Sequence, residues 1–303
     1  MKKIITYLKE YSKAIDKRIF ILSVLFIAIG IFVNYHYGLD RYINTLSSER
    51  QFICWYFIFL IVFSFPYLLQ YVFNRSNIFR KAKSVILLLL APALFAWKMA
   101  YTIRFHFTHN IPENAYWNQV IYWPFKLAIF IIVLLIVWKL YDSDKPFYGT
   151  GTRYFRVKPY VIMLLIMLPL IAAAATQPDF LAMYPKLKSV AYLSAQQHSG
   201  WYKLLFELSY GTDFISIELF FRGFLIIAFA KWVGKDAILP MAMFYCTIHF
   251  GKPLGECISS FFGGLILGVI TFNTQTIWGG LMVHLGIAWL MELGGYIGNS
   301  LLQ

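Results

Sequence analysis

Residues 214–232 read Phe214-Ile-Ser-Ile-Glu218-Leu-Phe-Phe-Arg222-Gly-Phe-Leu-Ile-Ile-Ala-Phe-Ala-Lys-Trp232. The run is apolar nearly end to end and about as long as a hydrocarbon-spanning helix requires. Inside it stand an acid and a base four residues apart, a spacing that puts both on one helix face. A carboxylate at that depth is costly unless it is paired or lines a polar cavity. The stretch therefore reads as a buried span carrying a functional pair, whose partners should lie elsewhere in the chain.

Working outward, the composition agrees with a membrane-embedded chain. Hydrophobic residues make up 60% and charged residues 14%, with a mean hydropathy of +0.63. A soluble domain of this length would leave too much apolar surface uncovered. The expected fold class is all-α, a polytopic transmembrane helical bundle, and the first partner is the lipid bilayer. Lys and Arg exceed Asp and Glu by 27 to 14. The basic residues gather between apolar runs, as in cytoplasmic loops facing anionic lipid, and no nucleic-acid-binding motif accompanies them. Nucleic acid is therefore not an expected partner. Cys54, Cys246 and Cys257 make neither a disulfide framework nor a zinc-ribbon spacing, and read as small buried hydrophobes.

Nine apolar segments follow one another: 19–37, 52–73, 85–102, 120–140, 160–175, 214–232, 238–250, 257–272 and 277–297. One re-entrant segment would reduce the spans to eight. The third segment carries a late Lys98 placed to snorkel, and the fourth carries Lys126 near one end. The N-terminus is basic, as are the loops around Arg80 and from Lys139 to Lys158, whereas the intervening loops are mixed. This alternation predicts a cytoplasmic N-terminus, and the expected location is multi-pass in the bacterial cytoplasmic membrane. Gly149-Thr150-Gly151-Thr152 reads as a plain loop, too short for a phosphate-cradling fingerprint. In 177–201, Met183, Tyr184, Leu187, Val190, Ala191 and Leu193 recur at helical spacing, so part of that loop is expected along the interface as a candidate lid.

Charge placement divides the chain. Residues 1–158 read as an N-terminal transmembrane scaffold of about four spans with few intramembrane charges. In 159–303, Glu218, Arg222, His249, Glu256, His284 and Glu292 all fall in or beside apolar segments. Two imidazoles and a carboxylate are what a metal site requires, or what a water-activating base with an oxyanion donor requires. Pro253 and Gly255 predict a turn that could aim Lys252 and Glu256 at the same pocket as auxiliary groups. Glu292 lies about 80° round its helix from His284, which makes it a weaker candidate. The glycines at 263, 264, 268, 279, 280, 286, 294 and 295 read as places where helices approach closely.

Three motifs in this order resemble the CAAX protease and bacteriocin-processing (abortive-infection) family of intramembrane proteases. They are Glu218-Leu-Phe-Phe-Arg222-Gly223, then Tyr245-Cys-Thr-Ile-His249, then Phe262-Gly-Gly-Leu-Ile-Leu-Gly268 leading through Ile277-Trp-Gly-Gly to His284. The resemblance covers residues 214–297. It departs from the family pattern twice: Ile217 stands where the first of two adjacent glutamates is usual, and Ala288 where an Asn follows the last His by four.

The resemblance implies an intramembrane endopeptidase acting on a membrane-associated peptide or protein. Glu218 would activate water, Arg222 would hold Glu218, and His249 and His284 would bind a metal or stabilise the oxyanion. The metal, if used, would be one divalent ion, zinc by preference, on His249, His284 and Glu218. The rival expectation is a catalytically inactive scaffold or immunity-type binder of the same fold, consistent with the two departures. A proton-relaying transporter comes third, because no repeated half with matching broken helices is visible.

Overall fold

The computed structural model describes residues 1–74, 76, 78–152, 155–190 and 199–301. Helices α1 (Lys2–Ala14), α2 (Lys17–Tyr37), α3 (Leu39–Asn44), α4 (Ser48–Asn74), α5 (Ala82–Ala100) and α6 (Ile111–Tyr141) build the first half. Then come α7 (Val157–Ala174), α8 (Pro178–Met183), α9 (Ser199–Glu218), a π-helical segment (Leu219–Ala228) and α10 (Ala230–Val233). Helices α11 (Ile238–Thr247), α12 (Leu254–Thr274) and α13 (Trp278–Leu301) complete the chain, and no strand occurs among the described residues. The chain is an all-α polytopic membrane protein; among the described residues seven helices are long and apolar enough to cross a bilayer, α2, α4, α5, α6, α7, α12 and α13.

The other two apolar segments are built differently. Helix α9 ends at Glu218, and the turn widens to π-helix before Arg222 is reached. Single α-helical spacing across 214–232 is thus replaced by two kinds of helix meeting at the acid. Residues Leu219 to Ile226 are all buried. Hydrophobic residues on every side of such a turn meet protein rather than lipid, so apolarity alone could not separate this segment from a simple span. Extended π-helix is rare and concentrates at functional sites. The segment 238–250 shortens to the ten residues of α11, about 15 Å of helix, half the hydrocarbon thickness.

The helices group into two compact units. Unit 1 comprises Met1–Thr102, Ile136–Tyr154 and Leu219–Ile277, and unit 2 comprises Ile103–Leu135, Phe155–Glu218 and Trp278–Gln303. Unit 1 is centred on Phe244 of α11. Its ring lies 4.8 Å from Phe59 and 5.6 Å from Phe63 of α4, 5.9 Å from Phe95 of α5, and 5.4 Å from Phe221 of the π segment. Aromatic pairs at these separations add to the area they bury, which explains why so short a helix is held so firmly. The 147–149 loop packs beneath the π segment. Gly149 is buried with φ +79°, and a Cβ on Gly223 would stand 2.6 Å from the carbonyl oxygen of Tyr148. The plain loop read from Gly149-Thr150 is therefore a packed support. Lys98 does not snorkel: it is buried, with Nζ 5.3 Å from the centre of the Phe95 ring.

In unit 2, α13 packs along α7 through small residues, as the glycine pattern predicts. A Cβ on Gly279 would collide with the Tyr160 ring at 2.0 Å, and one on Gly286 with Leu164 at 2.7 Å. Tyr116, Val120, Trp123, Phe206, Tyr210, Phe214, Leu281 and Ala288 form one apolar cluster joining α6, α9 and α13. After α8, Tyr184 and Val190 are buried, which draws this stretch of the expected interfacial loop into the protein; Ala191 and Leu193 lie outside the described residues.

Candidate active site

Glu218 is the last residue of α9 and is fully buried. Its Oε1 lies 3.1 Å from Nδ1 of His284, which α13 presents from its second turn. One proton lies between these atoms, so either the imidazole donates to a carboxylate or a carboxylic acid donates to the imidazole. Phe214, one turn before Glu218, meets the His284 ring edge to face at 4.7 Å and fixes its plane. Gly280, one turn before His284, leaves the space that the carboxylate fills: a Cβ there would stand 2.2 Å from Glu218 Oε2. Four positions on two helices thus make one preorganised acid–imidazole pair within unit 2, its acid fully buried and its imidazole partly so.

Arg222, Tyr245 and His249 belong to unit 1. Arg222 is fully buried in the π segment, and its guanidinium carbon sits 4.4 Å from the centre of the Tyr245 ring. A desolvated cation over an aromatic face is held electrostatically, with a worth of about 2 kcal/mol. Tyr245 precedes His249 by one turn, and the two rings lie 4.7 Å apart. His249 Nδ1 is 2.8 Å from the Tyr245 carbonyl oxygen. A carbonyl can only accept, so Nδ1 carries the proton, and Nε2 is the ring nitrogen left for another partner. Tyr245 therefore serves both neighbours: its ring seats Arg222 and its carbonyl sets the tautomer of His249. The expected Glu218–Arg222 pairing has one member in each unit.

The auxiliary candidates form a turn directly after His249. Lys252 N–H donates to His249 O at 3.0 Å, and Tyr35 O–H donates to Lys252 O at 2.6 Å. Lys252 Nζ and Glu256 Oε1 are 3.5 Å apart and both partly exposed, so these two charges face each other. Glu292 has a structural task. It is buried, and its carboxylate accepts the backbone N–H of Lys186 at 2.8 and 3.0 Å. Among the described residues no group of three or more His, Cys, Asp or Glu side chains is placed to hold a metal ion.

Residues 201–290 match the family model described as type II CAAX prenyl endopeptidase Rce1-like. This segment belongs to the CAAX protease family. The match contains Glu218, Arg222, His249 and His284, together with Lys252 and Glu256. No curated protein and no solved structure matches the chain. Within the CAAX protease segment, the two departures have structural counterparts. Ile217 is buried, and Ala288 lies in the apolar cluster with Tyr210, Phe214 and Leu281. Phe214, Gly280 and the ring-and-carbonyl role of Tyr245 were not legible as site features in the sequence. An aromatic and a glycine each one turn from a candidate catalytic residue are common in any packed helix.

Proposed function

We propose that the protein is an intramembrane endopeptidase that hydrolyses a peptide bond in a membrane-associated peptide or protein, with its N-terminus in the cytoplasm. The observation that carries the reading is the buried Glu218–His284 pair, inside a segment of CAAX protease sequence. A carboxylate held in one orientation by an imidazole is suited to take a proton from water. In the proposed reaction, Glu218 accepts that proton while the hydroxide adds to the substrate carbonyl carbon. The family resemblance gives His249 the role of oxyanion donor, and its Nδ1 is engaged by Tyr245 O. When the intermediate collapses the C–N bond breaks, and Glu218 returns the proton to the leaving amine. Arg222 positions Tyr245, and through it His249.

A second reading is supported by Ile217 and Ala288. Both family positions are occupied by buried apolar side chains, Ala288 within an apolar cluster, which favours a non-catalytic scaffold or binding protein of the same fold. Reconstitution in vesicles with membrane-anchored peptides separates the two. The enzyme reading expects cleavage by wild type, reduced about 10²-fold or more by Glu218→Gln, the usual scale of general-base loss. Wild-type and Glu218→Gln proteins that are equally inert leave the scaffold.

A further inference from the structure

Beyond that reading, we propose that Cys246 and Cys257 form an oxidation-sensitive dithiol pair that closes to a disulfide. The two cysteines belong to different helices, α11 and α12, joined by the short turn that carries His249. Their Sγ atoms are 3.9 Å apart, and both residues are fully buried. Each thiol also faces the other's backbone: Cys246 Sγ lies 3.4 Å from Cys257 O, and Cys257 Sγ lies 3.7 Å from Cys246 O. Each sulfur thus lies against the other cysteine's backbone, and closing the 3.9 Å gap to the bond length of about 2.05 Å needs a shift of about 2 Å.

Burial selects the oxidant. A mixed disulfide with a bulky thiol has no room at a fully buried sulfur, whereas a peroxide is hardly larger than water. One thiolate attacks the peroxide oxygen, breaking the O–O bond and giving a sulfenic acid with release of hydroxide. The second thiolate then displaces hydroxide from the sulfenic sulfur, forming the S–S bond. Two thiols and one hydrogen peroxide give one disulfide and two waters, with two electrons passing from sulfur to oxygen. The bond ties the last turn of α11 to the first turn of α12. Tyr245, whose carbonyl holds His249 Nδ1, is the residue next to Cys246. Oxidation therefore acts on the position of His249.

The test needs no activity. The full-length protein in detergent is treated with hydrogen peroxide, denatured, blocked with N-ethylmaleimide and digested with chymotrypsin without reduction. Cleavage after Phe250 separates the two cysteines, so an internal disulfide appears as a linked peptide pair lost on adding dithiothreitol. The expected result is that pair, with alkylation falling from three thiols to one, the remaining thiol being Cys54. A melting temperature raised by peroxide in wild type but not in Cys257→Ser supports the clamp. Three alkylated thiols after peroxide would overturn the proposal. So would Cys246 and Cys257 recovered separately as sulfinic or sulfonic acids, or a cross-link running through Cys54.

Discussion

Glu218 Oε1 and His284 Nδ1 stand 3.1 Å apart, on two helices whose sequences are separated by more than sixty residues. The contact requires a side chain to be missing: Glu218 Oε2 occupies the volume that any Cβ at position 280 would claim. The acid, the imidazole and the glycine form one arrangement, and each can be tested through the others.

Gly280→Ala is expected to push the carboxylate out of register with His284. The added carbon would sit 2.2 Å from Glu218 Oε2, in a fully buried site. Overpacking of this kind costs about 1–3 kcal/mol. A lowered melting temperature in detergent, with cleavage reduced at least as much as in any other glycine-to-alanine variant, is the expected pattern. Gly263→Ala is the control, since nothing lies within 4 Å of its would-be Cβ. Equal stability of the two variants would mean that the carboxylate moves aside freely.

Restoring the family residues is expected to fail. Ile217→Glu puts a new acid at a buried position, at a cost of several kcal/mol. Ala288→Asn enlarges a side chain within the Tyr210, Phe214 and Leu281 cluster and leaves an amide to satisfy, at about 1–3 kcal/mol. Thermal unfolding measures both. A tolerated Ile217→Glu that cleaves faster than wild type would reveal polar space at that position.

Glu207 sets a pH dependence of stability. It lies outside the seven spanning helices, and burial, reinforced by the nearby Glu292 carboxylate, raises its pKa from 4.5 to about 7. The folded state then binds the proton more tightly than the unfolded chain does. Its contribution to stability is full below pH 4.5 and is lost as pH rises towards 7. Glu207→Gln should flatten the stability profile across that window and raise the melting temperature at pH 8. An unchanged profile would mean that the group is solvated.

Chelation should leave hydrolysis intact. The proposed reaction uses Glu218 and the two histidines alone, so cleavage is expected to persist without a metal ion. Cleavage measured in a strong chelator, with elemental analysis of the purified protein, checks this. Stoichiometric zinc together with loss of cleavage on its removal would require a different donor arrangement.

Composition and residue order were enough to place this chain in a membrane and to single out its candidate residues. Apolar runs of spanning length can hide only in a bilayer or a core, and few charges can be afforded there, so each buried one stands out. Glu218, Arg222, His249 and His284 were legible for that reason, and motif order placed them in a family. What the tertiary structure alone decided was geometry. The change from α- to π-helix after Glu218 leaves no mark on hydropathy, because every side of the segment is apolar whichever helix it adopts. Pairing of Glu218 with His284, and the setting of His249 by the Tyr245 carbonyl, depend on how helices meet and turns close. The vacancy at Gly280 has the same origin. Glycine in a membrane helix usually signals close packing against another helix, and only the approach of a particular side chain turns it into room for a carboxylate.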